Sequence, residues 1–465
     1  MSLRMEDIHV HQQWSSAVRA AFKFQTLGVA VACLLYAGGD LGFGQCVYQD
    51  ANGHPYLKEF RPFVPQSGTA AGPDLKIVAL GDSVVWGDGD KPRHKIVWLV
   101  GQGVANYTGH RVLVHSYAHS GARLSYSDPG SDPTFPVDND VPLGDLGSER
   151  PTTSEQADCA AVDDSDAVYV LLDGCINEVG AGQIALPPIV LLPNLRTTPE
   201  QIRSDVLKYC SANMATTLLK ITQQFPHARV VMLGYFRVVS DVSKPEPEMT
   251  DAEKAQLKAE NAKQEKAMER VVKRDGDFSN LTGSRAAKKK AIQAEVQKWW
   301  ANSDEFLKDS TSCFKWAIDS VNAGVVGPIS APAGVSYSDS APESDWKPVC
   351  PVFDKSTVAP GSPPPIAVAA AAFPDNPEYS YGAPHTHLWL LPLPFISQDE
   401  MYWTRAWQCT LHLCRGDKTC YTNAIAHPKP IGAQCYSESI LGAIGFVAPK
   451  PDSDCQPAKT AVATR

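Results

Sequence analysis

Several features that identify common protein classes are missing from this 465-residue sequence. Basic residues are not in excess: 42 Lys and Arg stand against 51 Asp and Glu, and the net charge of −9 argues against a broad nucleic-acid-binding surface. No internal repeat is visible. Collagen, wholesale disorder and a multi-span membrane protein are excluded by a composition of 43% hydrophobic and 20% charged residues, which is ordinary for a globular protein.

Proline and cysteine, by contrast, are plentiful, at 36 and 12 residues. The prolines predict long ordered loops. So many cysteines in a chain that is not small raise the question of its compartment, because disulfides persist in oxidising environments.

The N-terminal region has the order of features that is typical of a secretory signal. Arg19 and Lys23 precede a mostly apolar, uncharged run at 24–37, and Gly42 and Gly44 follow with the spacing of a cleavage site. The run has 14 residues, which is short for a stable membrane span. We therefore predict that residues 1–44 are a signal peptide and that the protein is secreted or periplasmic. The alternative is a buried N-terminal helix.

The rest of the chain alternates between strand and helix patterns. Largely apolar runs predict five strands, and longer stretches with helical periodicity lie between and after them. This alternation indicates an α/β fold with a parallel sheet. The predicted strands are Lys76–Leu80, Arg111–Tyr117, Asp166–Leu172, Arg229–Tyr235 and Ile366–Phe373, and the predicted helices are Lys91–Asn106, Pro199–Phe225 and Ile431–Ile444.

Two insertions interrupt this frame, which we interpret as one domain over 45–445 with a tail at 446–465. Residues 244–310 carry 14 basic and 13 acidic residues among 67, with a capping box at Thr250–Glu253 and a second helical stretch at Arg285–Leu307. They predict a charged helical hairpin, either a solvated decoration or a lid or interaction arm. Residues 328–365 contain nine prolines in 38 positions and predict a surface loop.

Four short motifs carry candidate chemistry, and each is weak alone. Ser83, in Gly81-Asp82-Ser83, follows the first predicted strand, where a hydroxyl would face a ligand crevice. Gly121 follows the second strand and can present a backbone N–H, while Asn177 follows the third and can present a side-chain amide. His427 precedes the last helix and can act as a general base.

The order and context of these motifs resemble those of the SGNH hydrolases, also called the GDSL esterase/lipase family, over roughly residues 75–445. The resemblance implies a three-layer α/β/α, flavodoxin-like fold and ester hydrolysis through an acyl-enzyme. It implies that Ser83 is the nucleophile and that Ser83, Gly121 and Asn177 form the oxyanion hole. His427 would take the serine proton and return it to the leaving alcohol. No cofactor and no metal are expected.

The sequence departs from the family pattern beside the histidine. The family has an acid three residues before its histidine, and Ala424 occupies that position here. A backbone carbonyl could orient the imidazole of His427 instead, which would make a Ser-His dyad. Asp417 and Asp173 are the other candidates.

A second departure lies in the third motif. Two residues separate Gly174 from Asn177, and Glu178 stands where the family has Asp. Asn177 would keep its role if the loop absorbs the extra residue.

Rival sites occur in the C-terminal third. His385 and His387 could supply the base, although His427 fits the expected position better. Cys409, His412 and Cys414 superficially resemble a zinc ligand set, but the usual spacing of zinc ligands is absent. In an exported protein, disulfide partners bracing the loop of His427 are the favoured interpretation of four cysteines: Cys409, Cys414, Cys420 and Cys435.

These observations favour an exported serine esterase acting on a small-molecule, glycan or lipid ester, with no nucleic-acid partner and no stable membrane span. One alternative is a non-catalytic binding protein on the same scaffold, since Ala424 and Glu178 fall at family active-site positions. The other is an acyltransferase acting on a glycan. The sequence does not specify the ester or the oligomeric state.

Overall fold

The computed structural model describes only part of the chain. The described residues are 58–66, 72–125, 151–181, 184, 198–236, 238, 285–324, 349–354, 356, 369–370 and 427–446. Residues 1–45 lie outside the described residues, and the predicted signal peptide therefore stays a prediction.

Six strands form one sheet in the order β1-β3-β2-β4-β5-β6. The strands β2 to β6 pair in parallel with their neighbours, and β1 adds an antiparallel edge. Counted among themselves, the five parallel strands follow the order 2-1-3-4-5, which is the flavodoxin-like order. The strands are β1 Lys58–Phe63, β2 Leu75–Leu80, β3 Val112–Ser116, β4 Tyr169–Leu172, β5 Arg229–Met232 and β6 Ala369–Ala370.

The helices pack in two groups. The helices α2 and α8 pack on each other, while α3, α5, α6 and α7 form a second group. Right-handed crossovers place these groups on opposite faces, because the strand order reverses direction at β2. The helices are α1 Ser83–Trp86, α2 Ile96–Thr108, α3 Thr153–Asp164, α4 Ile176–Val179, α5 Pro199–Leu207, α6 Met214–Gln224, α7 Arg285–Asn322 and α8 Pro430–Ala443. The predicted three-layer α/β/α class with a parallel sheet is confirmed.

The predicted strands correspond to β2 through β6, although β6 has only two residues. Sequence patterns missed β1 and α3. In α3 the alternation of small and polar residues is a weak signal, although Thr152 and Glu155 form a capping box at its start.

The long helix α7 differs from the prediction for the charged insertion. It begins at Arg285 as expected, but it continues past Leu307 to Asn322. Its C-terminal half packs against α5 and α6, and Phe306 and Phe314 are buried there. The apolar spacing of this half makes it a core helix. The proposed first arm of the hairpin, including Thr250–Glu253, lies outside the described residues.

Part of the proline-rich segment is fastened to α7. The described residues 349–354 lie against this helix, where Cys350 forms a disulfide with Cys313. The N–H of Val349 donates to Asp309 at 2.8 Å. This stretch of the predicted surface loop is therefore attached to the core.

Two buried ionic clusters lie on the helices and strands that frame the sheet. Asp164, at the end of α3, accepts hydrogen bonds from His115 at 2.7 Å and from the hydroxyl of Tyr117 at 2.9 Å. On α5, Arg203 pairs with Glu305 of α7 and lies 3.6 Å from Asp309. In the described part of the chain, no helix combines the length and apolar character needed to cross a membrane.

Candidate active site

The nucleophile candidate Ser83 lies on a sharp turn between β2 and α1. Gly81 has a φ of +133°, and a Cβ there would meet an oxygen of Asp173 at 1.8 Å, so only glycine fits. Asp82 is the N-cap of α1, and its carboxylate accepts from the N–H of Val84 at 2.9 Å. Ser83 is therefore the first residue of a helix and stands at the carboxyl end of a parallel strand.

A glutamine of α3 fixes the residue at the start of this turn. The side chain of Gln156 accepts from the N–H of Gly81 at 2.7 Å and donates to its carbonyl at 3.1 Å. It also donates to the carbonyl of Pro151 at 3.1 Å. Gln156 is fully buried, so these bonds are shielded from water.

Asp173, which follows β4, holds the same turn from the other side. One carboxyl oxygen accepts from the N–H of Asp82 at 2.6 Å, and the other accepts from the N–H of Val85 at 2.9 Å. Burial raises the pKa of Asp173 well above its usual range, and the adjacent Asp82 carboxylate acts in the same direction. Both oxygens of Asp173 are thus engaged by the backbone of the turn that carries Ser83, and the group that orients His427 stays open.

His427 reaches Ser83 from the far end of the chain. Its Nε2 lies 2.6 Å from the serine Oγ, across a sequence separation of 344 residues. The helix α8 begins three residues later, at Pro430, and two contacts anchor it to β5 and its C-terminal extension. The hydroxyl of Tyr436 donates to the carbonyl of Gly234 at 2.9 Å, and Arg229 donates to the carbonyl of Ile444 at 3.1 Å.

The other candidates near His427 lie outside the described residues. These are the position of the missing family acid, the alternative acid, the rival histidines and three of the four cysteines: Ala424, Asp417, His385, His387, Cys409, Cys414 and Cys420, together with His412. Cys435, on α8, is disulfide-bonded, in keeping with the interpretation of these cysteines as structural.

Gly121 and Asn177 are brought together beside the turn. Gly121 has a φ of +80° in the loop that follows β3. The side-chain amide of Asn177 donates to the carbonyl of the next residue, Ala122, at 2.8 Å. An amide has two N–H groups, so this bond leaves a second one for a ligand.

The backbone before Asn177 has an unusual geometry. Cys175 has a φ of +94°, the only positive value at a non-glycine residue in the described part of the chain. A disulfide to Cys210 holds it, and Cys210 lies in the π-helical turn Lys208–Asn213 between α5 and α6. The short helix α4, with Asn177 as its second residue, is thus fastened to a longer helical element.

Glu178 braces the loop of Gly121. One carboxyl oxygen accepts from the N–H of Leu124, and the other is enclosed without a hydrogen-bond partner. Burial raises the pKa of Glu178 to about 7, and the bond from Leu124 opposes this rise. The residue that differs from the family pattern therefore contacts the backbone of the neighbouring loop.

Lys95 closes the other end of α1. Its ammonium group donates to the carbonyls of Trp86 and Gly87, both at 3.0 Å, and lies 3.9 Å from the centre of the Trp86 ring. A cation at the C-terminus of a helix interacts favourably with the helix dipole, and here it also lies over an aromatic face.

The described residues thus place Ser83 against His427, and Asn177 against the loop of Gly121. Sequence reasoning missed Gln156, Lys95 and Tyr235, which support the turn, Tyr235 through a hydrogen bond from its hydroxyl to Asp82. Gln156 and Lys95 lie in or beside helical patterns with no local signal of a long-range partner. Tyr235 was counted only as the end of a predicted strand.

No protein-family model and no curated protein sequence matches this chain. Among solved structures, an extracellular lipase from Streptomyces rimosus aligns with 80% of this chain and 98% of its own, at 13% identity and a TM-score of 0.33. An aryl esterase from M. smegmatis aligns with 37% of this chain and 68% of its own, at 16% identity and a TM-score of 0.21. A lipase from a goat rumen metagenome aligns with 36% and 67%, at 17% identity and a TM-score of 0.24. These scores are low, so what the chain does must be inferred from its own residues.

Proposed function

We propose that the protein is a serine hydrolase that cleaves esters through an acyl-enzyme. The observation that carries this proposal is the 2.6 Å contact between Ser83 Oγ and His427 Nε2 at the carboxyl end of the parallel sheet. A serine hydroxyl is a weak nucleophile until an adjacent base accepts its proton. The topology supports the same site, because ligands of open α/β sheets bind at this edge.

The reaction would proceed in two halves. As Ser83 Oγ attacks the ester carbonyl, its proton passes to His427, and the tetrahedral oxyanion collapses by expelling the alkoxide, which takes that proton. In the second half, water adds to the acyl-enzyme with His427 as base, and the carboxylic acid leaves as Ser83 regains its proton.

Three donors are proposed for the oxyanion. The N–H of Ser83, as the first residue of α1, has no partner within its own helix. Gly121 contributes a backbone N–H, and Asn177 contributes the amide hydrogen that does not bond to Ala122. Removal of one such donor typically lowers kcat by roughly 100- to 1,000-fold.

Release of p-nitrophenol from short acyl esters tests the proposal. We expect Ser83→Ala to abolish turnover, and Ser437→Ala to retain it, because the buried Ser437 hydroxyl donates to the carbonyl of Gln434 within its own helix at 2.7 Å. Ser83→Ala turnover equal to that of the wild type would refute the nucleophile. A fluorophosphonate probe separates this function from a non-catalytic binding role, since only an activated serine is labelled. Product analysis with an added acceptor alcohol distinguishes hydrolysis from acyl transfer.

We further propose that the protein is exported. The Cys175–Cys210 and Cys313–Cys350 disulfides support an oxidising compartment, as does the predicted signal at 1–44. Sequencing the N-terminus of protein recovered from an exporting host is expected to show cleavage near Gly44. Retention of the full leader in the cytoplasm would contradict export.

A further inference from the structure

The stretch that follows β5 contacts the three segments that carry Ser83, Asn177 and His427. Tyr235, three residues after β5 ends at Met232, is almost fully buried. Its hydroxyl lies 2.5 Å from a carboxylate oxygen of Asp82 and 3.3 Å from the backbone nitrogen of Ile176. Asp82 precedes Ser83 in the chain, and Ile176 precedes Asn177.

The direction of these bonds is fixed by chemistry. A backbone N–H can only donate, so the Tyr235 oxygen accepts from Ile176 and the hydroxyl proton points to Asp82. The other oxygen of Asp82 accepts from the N–H of Val84 in α1. A continuous chain of hydrogen bonds therefore runs from the start of α4, through Tyr235, to the start of α1. Such chains strengthen one another in a buried setting.

The ring of Tyr235 is held by its neighbours on α7. The ring centres of Phe306 and Phe314 lie 5.3 and 5.9 Å from it. Burial raises the pKa of the Tyr235 hydroxyl well above its usual range, and the Asp82 charge adds to this effect, so the hydroxyl stays a donor. The position of the hydroxyl is thus set by packing that does not involve the site.

The residues on either side of Tyr235 contact the third segment. The carbonyl of Gly234 accepts from Tyr436 of α8, the helix that follows His427, and the ring of Phe236 packs edge-on against the same tyrosine with centres 5.9 Å apart. The extension of β5 therefore touches the segments of Ser83, Asn177 and His427.

We infer that Tyr235 is a positioning residue that fixes the nucleophile turn relative to the Asn177 helix, through hydrogen bonds from its hydroxyl to Asp82 and Ile176. This inference deepens the proposed function and rests on it for its kinetic consequence. Tyr235 touches no reacting atom. It sets the separation between two donors of the oxyanion hole, the N–H of Ser83 and the amide of Asn177.

The test removes the hydroxyl and keeps the ring. Tyr235→Phe is expected to lower kcat by roughly 10- to 100-fold, since small misplacements of catalytic groups have effects of that size. KM should change by less than about twofold, because the hydroxyl does not contact substrate. Tyr117→Phe is the matched control: it removes another buried tyrosine hydroxyl from a carboxylate, that of Asp164, which does not belong to the site.

A second measurement does not depend on turnover. Amide hydrogen exchange in peptides covering 81–87 and 174–180 should be faster by about 5-fold in Tyr235→Phe, the factor for the loss of one ordinary hydrogen bond. The control should leave both peptides unchanged.

The outcomes separate the two proposals. If the wild type reacts with the fluorophosphonate probe and hydrolyses esters, but Tyr235→Phe keeps the wild-type kcat, the positioning role is overturned while the proposed function stands. If the wild type turns over no ester, the proposed function fails, and exchange decides whether Tyr235 couples the two segments. Faster exchange in only one peptide, or equally in the control, would overturn the coupling.

Discussion

Two buried carboxyl groups lie beneath the short helix that begins with Ser83. Burying a polar group is costly unless it is hydrogen-bonded, and here four donors meet four carboxyl oxygens. Asp82 accepts from Val84 and Tyr235, while Asp173 accepts from Asp82 and Val85. The four-residue helix α1 is too short to be stable alone, so these bonds determine its position.

Asp173→Asn tests this arrangement. An amide nitrogen cannot accept, so one of the two N–H groups that Asp173 satisfies would face a donor, whichever protonation state the carboxyl has. We expect the free energy of unfolding to fall by about 1–3 kcal/mol. We also expect kcat to fall, because the turn carrying Ser83 shifts. Denaturant titration and p-nitrophenyl ester kinetics measure the two effects.

Asp158→Asn is the control for that substitution. Asp158 pairs with Lys220 on the surface, where its side chain is 52% exposed, and exposed pairs contribute little. Equal losses in the two variants would contradict a special role for Asp173.

For single residues, the sequence pointed to the candidate site residues but not to the hydrogen-bond partners that hold them. Ser83, Gly121, Asn177 and His427 stand out because each follows a strand or precedes a helix, and their catalytic roles stay predictions. Tyr235 carries no comparable signal. Its partners lie 153 and 59 residues away, and such pairing appears only once the strand order is known.

Among the elements, α4 is held in place by contacts from other parts of the protein. It has four residues, including Asn177, and the residue before it is Cys175 at positive φ. A non-glycine residue rarely adopts this conformation unless its surroundings impose it. The disulfide to Cys210 is one such constraint, and the bond between Glu178 and Leu124 is another.

The two described disulfides allow a matched experiment on this point. Their sequence separations are 35 and 37 residues, so loop-closure entropy predicts nearly equal stabilisation, about 4 kcal/mol each. Replacing Cys175 and Cys210 with Ser should lower both stability and kcat. Replacing Cys313 and Cys350 should lower stability by a similar amount and leave kcat unchanged at temperatures where the variant is folded.

Thermal unfolding and ester kinetics on both double variants provide the comparison. If the Cys313/Cys350 variant loses as much kcat as the Cys175/Cys210 variant, then the disulfide at α4 acts only through overall stability.

Sequence patterns were sufficient to predict some of the helices and strands. The strands β2 to β5 were predicted within a few residues, because buried parallel strands are short apolar runs. The predicted end of α7 at Leu307 was wrong, because the high charge content suggested that the insertion stands apart from the core. The apolar spacing from Phe306 onward instead continues the helix into the core.

For the molecule as a whole, the two ionic clusters predict opposite responses to pH. Burial, the nearby Asp309 and the hydrogen bond to it raise the pKa of Glu305 to about 8, against the opposing effect of Arg203. Burial also disfavours the charged form of Asp164, but the hydrogen bond and charge of His115 outweigh it and lower the pKa of Asp164 below its usual value of 3.8.

Glu305→Gln should therefore change the stability curve between about pH 4.5 and pH 8. In the folded protein Glu305 keeps its proton up to about pH 8, whereas in the unfolded chain it loses the proton above its ordinary pKa of 4.5. The contribution of Glu305 to the free energy of unfolding is therefore fully present below pH 4.5 and is lost as the pH rises towards about 8. Relative to the wild type, the Gln variant should gain stability between these limits. Urea titrations at several pH values measure the difference, and a constant difference would contradict the expected titration.

Asp164→Asn should change the acid side. The folded pKa of Asp164 is depressed, so its contribution is present above 3.8 and is lost as the pH falls through the folded pKa. The Asn variant should be less stable at neutral pH by about 1–3 kcal/mol, since His115 and Tyr117 lose a carboxylate acceptor and Lys76 is left with Asp166 as its anionic partner. The deficit should shrink in acid, with kcat for esters unchanged where the protein is folded. A deficit that persists at low pH would show that packing, rather than charge, is responsible.

The distance along the chain between Ser83 and His427 has a consequence in time. At synthesis rates of roughly 5–20 residues per second, a ribosome needs about 20–70 seconds to pass from one to the other. During that interval Ser83, the proposed nucleophile, exists without His427, its proposed base, since the contact joins residues 344 positions apart. Under the proposed mechanism, a nascent or prematurely terminated chain would therefore carry Ser83 without the proposed base, and hydrolysis would begin only after α8 had folded back onto β5.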